Sequence, residues 1–128
     1  LTGMAAKRAT SDDLERIWQA LERMESSVSD TEAFVAADLD FHLAVAKASQ
    51  NELLEQFYHL ARKMLVEVIQ EMVSLPGVQR DSIPYQRAIA EAIEARDPDL
   101  ARRAAEDHMA YVDRLLDTWV EEPEPSTG

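Results

Sequence analysis

The chain has 128 residues, of which 46% are hydrophobic and 30% are charged, with 3 glycines, 5 prolines and no cysteine. This composition indicates one soluble, helix-rich globular domain, and it excludes a disulfide framework or a thiolate metal site. The formal net charge of -12 argues against nucleic-acid binding by this chain alone, because phosphate repels an acidic surface.

No apolar run reaches membrane-spanning length, and no signal-peptide pattern is present. Together with the lack of cysteine, this favours a cytoplasmic location without membrane contact. Because Leu1 is not an initiator methionine, we expect the chain to be part of a longer protein.

The first two helices are predicted from a short opening segment and a capping pattern. Residues 1–9 are compatible with the end of a helix. Thr10 or Ser11 can cap a second helix, with Asp12 and Asp13 in its first turn. Its apolar stripe has helical spacing and consists of Leu14, Ile17, Trp18, Leu21 and Met24.

A third helix is predicted from Asp30 or Thr31 to about Ser49, and Asn51 caps the next one. This fourth helix is long, ends at Pro76 and Gly77, and has a wide apolar stripe. We therefore expect it to be the most buried helix. Its stripe comprises Leu54, Phe57, Tyr58, Ala61, Met64, Leu65, Val68, Ile69, Met72 and Leu75.

The remaining chain is predicted as a loop to Ser82 followed by two helices. Pro84 suits the first turn of the fifth helix. Asp97 and Pro98 stop that helix and begin the last one, which runs to about Val120. Residues 121–128 are acidic and contain proline, so we expect a frayed tail. The fold class is therefore all-α.

Asp38 and His42 are four residues apart in an apolar helical run, which places a carboxylate and an imidazole on one helix face. His108 lies on the apolar stripe of the last helix, which also contains Ala101, Ala104, Ala105, Val112, Leu115 and Trp119. These three side chains are good ligands for zinc or another divalent metal, provided that the two helices pack together. The alternative is that each histidine is a hydrogen-bonded core residue.

Two arginines are candidates for binding a ligand carboxylate, because the planar guanidinium matches a carboxylate. These are Arg62 and Arg87, although either can also be a solvated surface residue. We interpret His59 as a rim or surface residue. The sequence contains no Gly-rich phosphate loop, no HExxH motif and no serine in a strained elbow.

Three stretches resemble the FCD domain, the C-terminal effector-binding half of the FadR subfamily of GntR transcription regulators. Residues 38–51 resemble its signature D-x-x-F-H-x-x-(L/I)-x-x-A-S-x-N. Residues 85–97 are similar to H-R-x-I-x-x-A-I-x-x-x-D, and residues 101–108 are similar to A-x-x-A-x-x-x-H. The resemblance extends over nearly the whole chain, 1–128, as a single domain.

The resemblance implies an antiparallel bundle of about six helices with an interior cavity for ligand and metal. It carries the family's metal ligands onto Asp38, His42 and His108, whereas the middle histidine falls on Gln86. Because an amide oxygen is a weaker zinc or nickel ligand than imidazole, any metal at this position is expected to bind less tightly. Because no such segment is recognised in these residues, we expect the family's N-terminal winged helix-turn-helix domain to be absent from this chain.

The sequence therefore predicts the effector-sensing, homodimeric domain of a bacterial regulator, which contacts DNA only through the absent domain. The expected effector is a small carboxylic acid, and the expected cofactor is a divalent metal. The alternative is a small metal-dependent enzyme, because two histidines and one carboxylate also describe a catalytic metal centre.

Overall fold

The computed structural model describes the backbone of residues 1–121 and the side chains of residues 1–118. Seven helices and no strand are found in this part of the chain, so the predicted all-α fold is confirmed. The helices are α1 (Thr2–Arg8), α2 (Ser11–Ser26), α3 (Thr31–Ala48), α4 (Glu52–Leu60), α5 (Arg62–Val73), α6 (Val78–Glu94) and α7 (Pro98–Glu121). The side chain of Trp119 and the tail segment 122–128 lie outside the described residues.

Local capping explains where several helices begin. The Thr10 hydroxyl accepts a hydrogen bond from the Asp13 backbone N–H at 3.1 Å, and Asp13 accepts one from the Thr10 N–H at 2.9 Å. Burial alone would raise the pKa of Asp13, but the Thr10 hydrogen bonds and the ion pair with Arg16 together lower it. Asn51 and Asp97 cap α4 and α7 in a similar way.

The core lies where α2, α3 and α6 pack together, with α1 and α7 closing the bundle. Ten of the 18 residues of α3 are buried, so α3 is the central helix. The largest fully buried apolar side chains are Ile17, Leu21, Met24, Phe34, Phe41, Leu39 and Ile93.

The prediction of one long, most buried fourth helix is wrong. The helix is interrupted at Ala61, which gives α4 and α5; α4 buries no residue and α5 buries only Val73. The wide apolar stripe is divided between two environments: Ile69 and Leu75 pack against the core, whereas Phe57 is 53% exposed and Met64 is 57% exposed. Apolar periodicity identified the helix but not which part of its face the bundle covers.

The predicted loop to Ser82 is also wrong, because α6 begins at Val78 and contains Pro84 in its interior. Gly77 has φ 81°, a left-handed conformation that favours glycine, and it leads the chain directly into the helix. Proline in the interior removes one helix hydrogen bond, but the flanking Val78, Ser82 and Gln86 are buried and hold the segment in place. No described helix combines the length and apolar character needed to cross a membrane.

Candidate functional site

Four polar side chains from three helices line one cavity of about 160 Å³. Asp38 and His42 come from α3, Gln86 from α6 and His108 from α7. Ser82 and Tyr111 add two further polar groups. The rest of the wall is apolar and comprises Ile69, Met72, Val73, Val78, Met109, Val112 and Leu115.

Asp38 is the centre of the polar end of this cavity. Its Oδ1 accepts a hydrogen bond from Gln86 Nε2 at 3.0 Å, and His42 Nε2 lies 3.2 Å from the same oxygen. The Gln86 amide must turn its N–H₂ group toward the carboxylate, because the opposite orientation would bring two acceptors together. Gln86 Oε1 is then left buried, with no hydrogen-bond partner among the described residues.

His108 closes the cavity from α7. Its ring stacks on that of His42, with centroids 5.8 Å apart and an interplanar angle of 13°. The pKa of His108 is lowered from 6.5 to about 4, first by burial and then by His42, while Asp38 acts in the opposite direction. At pH 7 the ring is therefore neutral and adds no positive charge to the cavity.

His42 and His108 also line a wider cleft of about 560 Å³. This cleft includes Phe41, Tyr58 and Arg102. The two stacked imidazoles therefore belong to the walls of both the small cavity and the wider cleft.

The polar end of the cavity is a hydrogen-bonded cluster, and it does not fit a divalent metal as it stands. Among the described residues, no group of three or more His, Asp or Glu side chains is placed to hold a metal ion. Asp38 Oδ1 already accepts a hydrogen bond from Gln86 and lies 3.2 Å from His42 Nε2. The metal predicted from the sequence therefore stays a prediction.

Neither predicted effector-binding arginine lines the cavity. Arg62 lies 3.5 Å from Asp40, and Arg87 pairs with Glu25 on the exposed surface. Arg87 is next to Gln86 in sequence, and the helical turn between neighbours directs it away from the cavity. The assignment of these arginines to an effector gains no support from their positions. His59 is exposed, in agreement with the sequence analysis.

Two polar residues of the cavity wall, Ser82 and Tyr111, were not singled out from the sequence. Tyr111 follows His108 by three residues, so helical spacing alone could have placed it on the same face. Helical spacing could not identify Ser82, because the sequence analysis placed this residue in a loop and not on α6.

Comparison with known proteins decides the family. Residues 1–111 of the chain match the FCD domain. The chain belongs to the FCD domain family. The HTH-type transcriptional regulator LutR of Bacillus subtilis is 35% identical over 95% of this chain. The HTH-type transcriptional repressor NanR of Cronobacter sakazakii is 31% identical over 88% of the chain, and that of Citrobacter rodentium is 30% identical over the same share.

These regulators are longer than this FCD domain. The chain spans 58% of the length of LutR and 44% of that of either NanR. The predicted FCD domain is confirmed, and with it the prediction of a ligand-sensing domain of a transcription regulator. The alternative of a small metal-dependent enzyme is not supported, because these relatives are regulators.

Proposed function

We propose that this FCD domain binds a small organic effector in the cavity beside Asp38 and thereby controls DNA binding by another part of a cytoplasmic bacterial regulator. The observation that supports this site is a small cavity with an apolar wall and a few convergent polar groups, which is typical of ligand sites. Its volume of about 160 Å³ suits a molecule smaller than a drug.

The effector class follows from the charge of the cavity. Among the described residues, Asp38 is the only acidic side chain that lines it, and no lysine or arginine does so. A small carboxylic acid would be repelled by Asp38 unless a positive charge lay between them. An acid effector is therefore proposed only together with a divalent metal, which Asp38, His42 and His108 would hold between the effector and the Asp38 carboxylate.

A homodimer is the second part of the proposal. Five large apolar side chains that are at least 46% exposed follow one another at helical spacing along α4 and α5, and we call them the α4–α5 strip: Leu53, Phe57, Leu60, Met64 and Val68. Contiguous exposed apolar surface of this kind marks an interaction site. A second copy of the chain is the natural occupant, because a twofold axis can pair the strip with itself.

Coupling to DNA binding depends on how the effector changes helix packing. The cavity wall combines α3, α5, α6 and α7, so a ligand can favour one packing of these helices over another. In a dimer, a change of this kind would alter the spacing of two attached DNA-binding domains. The relatives named as HTH-type regulators, which are longer than this chain, support such an additional domain.

The direct experiment is to identify what the purified domain carries. The chain is purified without chelator, denatured, and examined by mass spectrometry for small molecules and by elemental analysis for metals. We expect one small molecule in the wild type and its loss in His108→Ala. Retention of the same molecule by both forms would place its binding site elsewhere and contradict the proposal.

A further inference from the structure

The buried amide oxygen of Gln86 is an acceptor without a donor. Gln86 is 1% exposed, lines the cavity, and uses its N–H₂ group on Asp38, so its Oε1 has no partner among the described residues. Buried acceptors are nearly always satisfied by protein, water or ligand. The oxygen itself is closed to solvent, so a bound molecule with a hydrogen-bond donor can satisfy it once a rotation of the Gln86 side chain brings it to the cavity surface.

The charge of the cavity also favours a ligand that donates a hydrogen bond. The carboxylate of Asp38 lies beside Gln86, and in the part of the chain that the structure describes no lysine or arginine lines the cavity to compensate its charge. A cationic hydrogen-bond donor is attracted to the Asp38 carboxylate, a neutral donor is neither attracted nor repelled by its charge, and an anion is repelled. The cavity therefore ranks head groups in the order ammonium, hydroxyl, carboxylate.

The apolar part of the wall and the cavity volume indicate what the rest of the ligand must be. Residues of α5 and α7 that face the cavity, among them Ile69, Met72, Val112 and Leu115, are apolar. The volume of about 160 Å³ lies below the roughly 300–1,000 Å³ of ordinary ligand pockets, so only a short hydrocarbon chain fits.

We propose that this cavity recognises its effector without a resident metal, through a hydroxyl or protonated amine of the effector that donates to Gln86 Oε1 beside Asp38. This inference rests on the proposed function, since it takes the cavity as the effector site. In this arrangement the Gln86 amide takes the place of a metal. Its N–H₂ group donates to Asp38 and holds that carboxylate in place, and its oxygen accepts a hydrogen bond from the ligand.

The experiment compares three probes that share one hydrocarbon chain. Isothermal titration calorimetry with the EDTA-treated 128-residue chain measures the binding of n-pentylamine, n-pentanol and pentanoate. We expect pentylamine to bind most tightly, pentanol more weakly and pentanoate not detectably. Gln86→Met should weaken both pentylamine and pentanol by about tenfold, the range of one hydrogen bond to a buried partner.

Two further variants separate a binding effect from a folding effect. Gln70→Met makes the same chemical change on the exposed face of α5 and should bind all probes as the wild type does. Asp38→Asn should weaken pentylamine at least about tenfold while changing pentanol less than about threefold, because only the charge is removed. If Gln86→Met fails to fold by circular dichroism, the contrast between the two probes in Asp38→Asn decides.

Three results would overturn the inference: pentanoate binding the metal-free wild type as tightly as pentylamine, unchanged pentylamine binding in Gln86→Met, or no binding of any probe. If pentanoate binds only after Zn²⁺ is added, and His108→Ala abolishes that binding, the inference fails while the cavity stands as the effector site. If no probe binds with or without Zn²⁺, the inference fails and the proposed site loses its support as well.

Discussion

Gln86 is the residue that distinguishes this cavity from a metal site with three histidines. Its amide donates to Asp38 at 3.0 Å and leaves a buried acceptor, whereas an imidazole would offer a nitrogen lone pair to a metal. We therefore expect the identity of residue 86 to determine whether the polar end of the cavity coordinates a metal or forms hydrogen bonds.

Replacing this amide with imidazole should create a metal site. Gln86→His adds a third imidazole to the cavity wall that already contains Asp38, His42 and His108, and we expect divalent zinc to bind at least about tenfold more tightly than to the wild type. Calorimetric titration of zinc into chelator-treated protein measures the difference. Gln70→His adds the same side chain on an exposed surface and serves as the control. Equal affinity in wild type and Gln86→His would show that position 86 does not face a metal.

His108 should make the stability of the metal-free domain depend on pH. Its folded pKa of about 4 lies below the ordinary 6.5, so between these values the unfolded chain binds more protons than the folded one. The stability associated with neutral His108 is therefore complete above pH 6.5 and declines as the pH falls toward 4, by up to roughly 3 kcal/mol.

Urea unfolding at several pH values between 4 and 7 measures this decline. His108→Leu removes the titrating ring and should lose less stability than the wild type over the same range. His59→Gln, at an exposed position, should follow the wild type. If the free energy of unfolding changed with pH in the same way in the wild type and in His108→Leu, the assignment of this pH dependence to His108 would be contradicted.

At the scale of helices, the sequence predicted features that depend on neighbouring residues. Thr10, Asn51 and Asp97 cap helices where the sequence analysis placed the starts, because a cap needs only a side chain and the next turn. The exposure of α4 and α5 was not predictable from the sequence. It depends on tertiary packing, because α3 packs mainly against α2 and leaves much of α4 and α5 uncovered. The early start of α6 was missed because Pro84 favours the first turn of a helix but occupies an interior position here.

The exposed α4–α5 strip leads to a prediction about assembly. Leu60 is 89% exposed, so Leu60→Asp should leave the fold intact while placing a charge in the proposed dimer interface. Sedimentation velocity should show a dimer for the wild type and a monomer for Leu60→Asp. Leu100→Asp, at an apolar position on α7 that is 43% exposed, is the matched control and should stay dimeric. A monomeric wild type at micromolar concentration would contradict the homodimer.

At the scale of the whole molecule, the site was predictable only where one helix or a clear stripe supplied its members. Asp38 and His42 share a face through their spacing, and the apolar stripe of α7 directed His108 inward. Arg62 and Arg87 were chosen for their chemistry alone. Their actual partners, Asp40 and Glu25, lie on other helices and depend on the tertiary packing.

The net charge of -12 leads to a prediction about DNA. Non-specific binding to duplex DNA rests on phosphate contacts from lysine and arginine, so the isolated chain should show no measurable binding at physiological salt. Fluorescence anisotropy with a labelled duplex measures this. Tight binding that weakens steeply with added salt would contradict the assignment of DNA contacts to another part of the regulator.

Thermal unfolding with a ligand panel tests most directly whether a small molecule binds in the cavity between α3, α5, α6 and α7. The panel contains hydroxy acids, dicarboxylates, sugar acids, amines and alcohols, each with and without Zn²⁺. A ligand at a hundredfold excess over its dissociation constant stabilises the native state by about 2.7 kcal/mol, which corresponds to a shift in Tm of roughly 2–8 °C. We expect at least one compound to produce such a shift in the wild type and none in His108→Ala, whose lower baseline stability is measured separately. A panel that shifts nothing, or a compound that shifts both forms equally, would contradict binding in this cavity.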